Sequence, residues 1–276
     1  MTDQMTGNQP EQITEQDSGG YFSCNYVSGP HKISRLPSLN FYPQVAKIVC
    51  LAGIQAMRGK YSDKRWISDS EKIGQALENV GVHFTVEGFE NVLAQQSPCV
   101  YIANHMSTLE TFLLPSIIQP VHDITYVVKS ILLRYPFFGA ILKARKPIIV
   151  KRHNPREDLT VVLDEGKKHL AEGRSIIIFP QGTRSQTVNS EQFSSLGIKL
   201  ARKAKAPVMP VALKTDAWGS GRIKDIGWIK PQKPVHIKFG QAQSVEGNGK
   251  DEHEAVVKFI VDNFAKWLAE DSLKNG

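Results

Sequence analysis

Two short segments hold side chains that could do chemistry together. The first, Asn104-His105-Met106-Ser107-Thr108-Leu109-Glu110, puts an imidazole five positions ahead of a carboxylate. The imidazole can take a proton near neutral pH, and the carboxylate can hold its other ring nitrogen if the chain turns into a helix between them. That is a Ser-His-Asp arrangement without its nucleophile, which a substrate could supply. The spacing alone leaves a second reading open, a histidine capping the next helix with Glu110 on a solvated face. The second segment, Phe179-Pro180-Gln181-Gly182-Thr183-Arg184-Ser185, follows roughly seventy residues later. Gly182 permits close backbone approach, Thr183 offers a hydroxyl, and Arg184 presents a planar fork suited to phosphate. Alone, G-T-R reads equally as a turn with a solvated arginine. The two segments together suggest a base beside an anion site.

Both segments need strands to deliver them. From about Gly81 onward, short apolar runs alternate with helical patterns, the rhythm of an α/β domain. The expected strands are Val82 to Glu87, Cys99 to Ala103, Ile124 to Val128, Pro147 to Lys151, Ser175 to Phe179, Val208 to Leu213 and Val235 to Phe239. The best marked helix begins at Asn154, an N-cap followed by Pro155 and Glu157, and stops near Gly173. Others are expected over Glu191 to Lys205 and Glu252 to Leu268. In such folds ligands collect where strands end and helices begin. His105 and the Gln181-Gly182-Thr183-Arg184 loop both fall at such points.

Composition narrows the classes. The 276 residues are 41% hydrophobic, with a net charge of +7 that favours anionic partners without choosing among phosphates, coenzyme A, acidic lipid surfaces and nucleic acid. Lys and Arg are scattered and form no nucleic-acid motif, so no nucleic-acid partner is expected. Cys24, Cys50 and Cys99 lack metal-ligand spacing, as do His83, His122, His169 and His236, and no metal is expected. The first twenty residues are polar and unlike a secretory signal, and no apolar run reaches transmembrane length. Phe41 to Met57 carries one charge, Lys47, and Arg58, Lys60, Lys64 and Arg65 follow closely. That pattern suits a helix in a membrane interface or a helix packed on the core. Trp218, in the loop after the strand ending at Leu213, reads either as lining a substrate entrance or as covering the core.

Four blocks in order carry a family resemblance. Asn104 to Glu110 resembles the motif N-H-x-S-x-x-D, and Phe179 to Ser185 resembles F-P-E-G-T-R-S. Pro147-Ile148-Ile149-Val150-Lys151-Arg152 lies between them, and Ala206-Pro207-Val208-Met209-Pro210-Val211-Ala212 follows. The chain resembles the lysophospholipid acyltransferases of the 1-acylglycerol-3-phosphate acyltransferase type over roughly Val82 to Gly240. The resemblance implies an α/β fold, a mostly parallel central sheet flanked by helices, with an N-terminal helical element at the membrane interface. The expected division is a weakly ordered tail over 1–38, the helical element over 39–80 and the acyltransferase domain over 81–276.

The activity implied is transfer of an acyl group from acyl-coenzyme A or acyl carrier protein to the free hydroxyl of a lysophospholipid, 1-acyl-sn-glycerol-3-phosphate above all. His105 would be the base and Glu110 its orienter. Gly182, Thr183 and Arg184 would hold the acceptor's phosphate, with positive charge from Arg152 and Lys129, and Pro210 would shape the acyl site's wall. The acyl thioester is a co-substrate, and neither resident cofactor nor metal is implied. The presumed donor suggests the cytoplasmic side of the membrane, with peripheral or monotopic attachment. Two departures stand out: Glu110 replaces aspartate, and Gln181 replaces glutamate. A silent lipid-binding relative, a thioester hydrolase and an acyltransferase for another lyso-lipid are the alternatives.

Overall fold

The computed structural model describes residues 21–219, 221 and 227–274, and the tail expected over 1–20 lies outside them. An eight-stranded sheet is the middle layer. Its strands are β1 (Tyr26–Val27), β2 (Phe84–Glu87), β3 (Val100–Ala103), β4 (Ile124–Lys129), β5 (Ile148–Val150), β6 (Ser175–Ile178), β7 (Val208–Lys214) and β8 (Val235–Phe239). They lie in the order β1-β2-β8-β7-β3-β6-β4-β5. From β7 to β5 all neighbours are parallel, whereas β8 runs against β7 and β1 against β2. The sheet is thus mostly parallel, as expected, and its central strands β3, β6 and β7 are buried at every position because helices cover both faces.

Alternation along β3 sorts side chains into two cores. Tyr101 and Ala103 join one apolar cluster, and Val100 and Ile102 the other. The first cluster also holds residues of α1 (Pro37–Met57), α2 (Asp63–Glu78), α3 (Phe89–Ala94), α4 (Leu109–Ile118) and α5 (Phe138–Ala144). The second holds residues of α6 (Pro155–Ala171), α7 (Leu196–Ala204) and α8 (Lys250–Lys274). Asn154 caps α6 as its sequence suggests, its side chain accepting from Arg156 N at 3.0 Å.

Three expectations need correction. Residues 21–38 are not a loose tail throughout: Phe22 is fully buried against Phe84 at 5.5 Å between ring centroids, and β1 pairs with β2. An aromatic pair after a polar leader is enough to anchor the segment. The helix expected over 191–205 splits, because Asn189 caps a single 3-10 turn at Ser190–Gln192 and Phe193 returns to extended backbone before α7 begins. No break in the core falls at residue 80, since Trp66, Ile73 and Leu77 of α2 share one cluster with Leu113 and Ile117 of α4.

On α1, Phe41, Val45 and Ala52 face the core. Its opposite face carries Leu39, Ala46, Cys50 and Met57 at helical spacing, with Leu39 66% and Met57 62% exposed. The helix therefore has a packed apolar face and an uncovered one. Trp218 covers the core, its ring stacked 5.9 Å from Phe112 and edge-on to Phe41 at 4.9 Å. At Gly53, α1 meets the turn into α5 so closely that a Cβ would lie 2.5 Å from Phe137 Cα and 2.9 Å from its carbonyl oxygen. Gly53→Ala gains about 1 kcal/mol of helix propensity. Overpacking against backbone costs about 1–3 kcal/mol. We expect a lower urea midpoint at unchanged slope for this variant; a raised midpoint would show that α5 yields freely.

Candidate active site at the strand ends

Strand β3 ends at Ala103, and the next residue closes the sheet above it. Asn104 is fully buried, its amide donating to Leu213 O at 2.7 Å while its carbonyl accepts from Leu213 N at 2.8 Å. The side chain thus imitates one more backbone pair between β3 and β7 and turns the chain outward at His105. Four residues later α4 begins, with Glu110 in its first turn.

Glu110 has no exposed surface. Its Oε1 accepts from Met106 N at 2.9 Å and Ser107 N at 2.8 Å, and also from Thr215 Oγ1. Its Oε2 lies 3.2 Å from His105 Nδ1. Donors meet the carboxylate from every side, so the shared proton belongs on Nδ1 and Nε2 is left with its lone pair. The reading of Glu110 as a solvated surface residue does not hold. The His105 ring, 17% exposed, lies flat on Phe179 with centroids 4.3 Å apart, which sets its plane.

The second loop folds over the first. His105 N donates to Gln181 Oε1 at 2.8 Å, and Ser185 N donates to His105 O at 2.9 Å. Gln181 accepts this hydrogen bond just as a glutamate would. Gly182 has a φ of +68°, a conformation that suits glycine, and a Cβ there would run into the Arg152 guanidinium. Arg152 donates to Gly182 O, and its own backbone N–H is held by Asp158 at 2.8 Å. Arg184 donates to Thr108 Oγ1 at 2.7 Å, joining the two loops again. Thr183 is exposed at the tip.

The structure therefore brings together His105, Glu110, Arg152, Gly182, Thr183 and Arg184. Lys129 ends β4 on the same edge of the sheet, paired with Val150 two residues before Arg152. Pro210 does not join them. It sits inside β7 opposite Ile102, on the sheet face covered by α8, where its ring and Phe259 flank Gly240. The apolar cleft lies instead on the other face, between α1, α2, α4 and α5, with Ile48, Ala52, Ile73, Phe112, Tyr126 and Phe138 among its walls. Tyr126, one of those walls, stacks on Phe179 at 6.2 Å. Burial pushes the Tyr126 phenol well above its ordinary value, and the Glu110 carboxylate adds to that shift.

Sequence reasoning missed Asn104, Ser107, Thr108, Phe179 and Thr215 as parts of the site. Four of them lie inside the two motifs, beside the residues that had drawn notice. Thr215, directly after an apolar strand, carried the same strand-end signal as His105.

Residues 83–214 match the family described as Acyltransferase. Over 169 residues it is 34% identical to the 1-acyl-sn-glycerol-3-phosphate acyltransferase of Pseudomonas aeruginosa, spanning 61% of this chain and 62% of that protein. It is 29% identical over 191 residues to the protein of the same name from Saccharomyces cerevisiae, spanning 68% of this chain and 60% of the relative. The match thus spans less than two thirds of the length of these curated relatives. The fold is shared with the crystal structure of the 1-acyl-sn-glycerophosphate (LPA) acyltransferase, PlsC, from Thermotoga maritima, at a TM-score of 0.65 and 21% identity over 84% of this chain and 95% of that one.

The Asn104 amide supports a specific expectation. Asn104→Ala leaves both Leu213 backbone groups without their buried partner and should lower stability by about 2 kcal/mol or more. Chemical denaturation measures this directly. A loss below about 0.5 kcal/mol, the usual limit for surface substitutions, would mean that the strand ends are held by something else.

Proposed function

We propose that the protein transfers an acyl group from acyl-coenzyme A or acyl carrier protein to the free hydroxyl of 1-acyl-sn-glycerol-3-phosphate, giving phosphatidic acid. The observation that carries this reading is His105, with Nδ1 on a buried carboxylate and Nε2 left to accept a proton, beside the Gly182-Thr183-Arg184 loop. Nε2 removes the acceptor's hydroxyl proton as that oxygen attacks the thioester carbonyl. The tetrahedral intermediate collapses, the carbon–sulfur bond breaks, and the proton leaves with the thiol. Arg184 and Arg152 supply charge for the acceptor's phosphate. The printed names of the relatives support the acceptor, and the step uses neither metal nor resident cofactor.

The longer Glu110 side chain reaches His105, which favours catalysis over the silent lipid-binding alternative. The test is thiol release from acyl-coenzyme A or acyl carrier protein by purified protein in vesicles, with and without lysophosphatidate. Release should depend on the acceptor, and His105→Ala should reduce kcat by about a thousandfold, within the range of general-base effects. Acceptor-independent release would point to a hydrolase, and release untouched by the substitution would remove His105 from the chemistry.

A membrane surface completes the proposal. No helix among the described residues is long and apolar enough to cross a membrane. The uncovered face of α1, with Leu39 and Met57, and the exposed Ile131 suit shallow insertion. The acyl donors are made in the cytoplasm, so we place the contact on the cytoplasmic side, as peripheral or monotopic attachment. Leu39→Glu combined with Met57→Glu should weaken sedimentation with phosphatidylglycerol-containing vesicles by about tenfold while the melting temperature holds, because apolar burial drives such insertion. Unchanged sedimentation would put the membrane contact elsewhere.

A further inference from the structure

Glutamate at 110 is one methylene longer than the aspartate of the motif it resembles, and that length must be taken up somewhere. It also adds a side-chain torsion, so the carboxylate has more ways to turn from His105. The structure shows a receiver on β7's far side of the loop. Thr215, fully buried, donates its hydroxyl to Glu110 Oε1. Ser107 Oγ in turn donates to Thr215 Oγ1 at 3.1 Å, and Leu109 N donates to Ser107 Oγ at 3.1 Å. The donors all run one way and end on the carboxylate, an arrangement in which each bond strengthens the next.

Thr215 is itself held from both sides. Two residues before it, Leu213 is bonded through both backbone groups to Asn104. Its neighbours Lys214 and Asp216 form a buried ion pair at 3.0 Å, and Lys214 Nζ also meets Asp271 at 2.6 Å while Asp216 meets Lys233 at 2.5 Å. A hydroxyl mounted on such a segment has little freedom to follow the carboxylate. The carboxylate must come to it.

We infer that Thr215 is a positioning residue that fits this site to glutamate, fixing the carboxylate through Oε1 so that Oε2 faces His105 Nδ1. An aspartate at 110 would withdraw from Thr215 and be held by the backbone N–H groups of Met106 and Ser107. The inference rests on the proposed acyl transfer for its kinetic consequences, but the geometry it describes exists without turnover.

The test combines Thr215→Val, Thr215→Ser and Thr215→Cys with either Glu110 or Glu110→Asp, in the full chain. With Glu110, Thr215→Val should lower kcat about tenfold or more, as expected for a hydrogen bond to a charged group, and leave both KM values within about twofold. Thr215→Ser should recover most of the loss. With Glu110→Asp, the same Thr215→Val change should cost less than about twofold, because the hydroxyl no longer has the carboxylate to hold. Nitrogen-15 NMR of His105 gives a readout independent of turnover. An imidazole released from its acceptor favours the proton on Nε2, so the fraction carrying it on Nδ1 should fall in Thr215→Val and not in Thr215→Ser. If Thr215→Val fails to fold, Thr215→Cys, close in shape and a weak donor, should show the same directions. Equal losses with Glu110 and with Glu110→Asp, or an unchanged His105 tautomer, would overturn the inference. Should wild-type protein transfer no acyl group from either donor, the tautomer measurement still decides the role of Thr215 while the proposed activity falls.

Discussion

A carboxylate sealed from water must be met by donors, and the site is organised around that requirement. Taking an ion of this size out of water costs several kcal/mol even after relaxation, and a single hydrogen bond to a charge returns about 1.5–3 kcal/mol. Glu110 therefore needs several donors at once, and no single element of the fold can supply them. The turn after β3 gives the N–H groups of Met106 and Ser107, the segment after β7 gives Thr215, and His105 completes the set. The strand order makes this possible, with β3 lying directly beside β7. Strand ends that were not neighbours could not share one carboxylate.

The same arrangement turns a core demand into a reactive group. Because Glu110 accepts from Nδ1, the opposite nitrogen of His105 is kept as an acceptor, and because Phe179 lies flat beneath the ring its direction is set by packing. The loop of Gly182 and Arg184 is tied to the first motif through Gln181, Ser185 and Thr108. On the sheet face opposite α8 lies the apolar cleft walled by Phe112 and Tyr126, and α1 beside it exposes an apolar face.

Much of this was legible in sequence where chemistry and periodicity agreed. Val235 to Phe239 is a strand with the bounds read from its apolar pattern, and the Asn154 cap and the strands leading to both motifs fall within two residues of expectation. What escaped notice depended on partners distant in the chain. The reversed direction of β8 is decided by its pairing with β7, which no local pattern records. Phe22 falls within the weakly ordered tail expected over 1–38 until Phe84 and α2 are placed around it. Pro210 lies in a recognisable block yet faces α8, because alternation along β7 puts Met209 and Val211 on the other face. Thr215 had a strand-end position to mark it, but its partner Glu110 lies about a hundred residues earlier, and no local pattern joins the two.

The central claim is that His105 itself accepts the proton in the rate-determining chemistry. The direct measurement follows acyl transfer to lysophosphatidate across pH while the His105 ring is titrated by NMR in the same protein. The account predicts that kcat/KM rises with pH along a single limb whose midpoint coincides with the His105 titration, since a general base works only in its neutral form. A rate independent of pH through that titration, or a limb with a different midpoint, would contradict it.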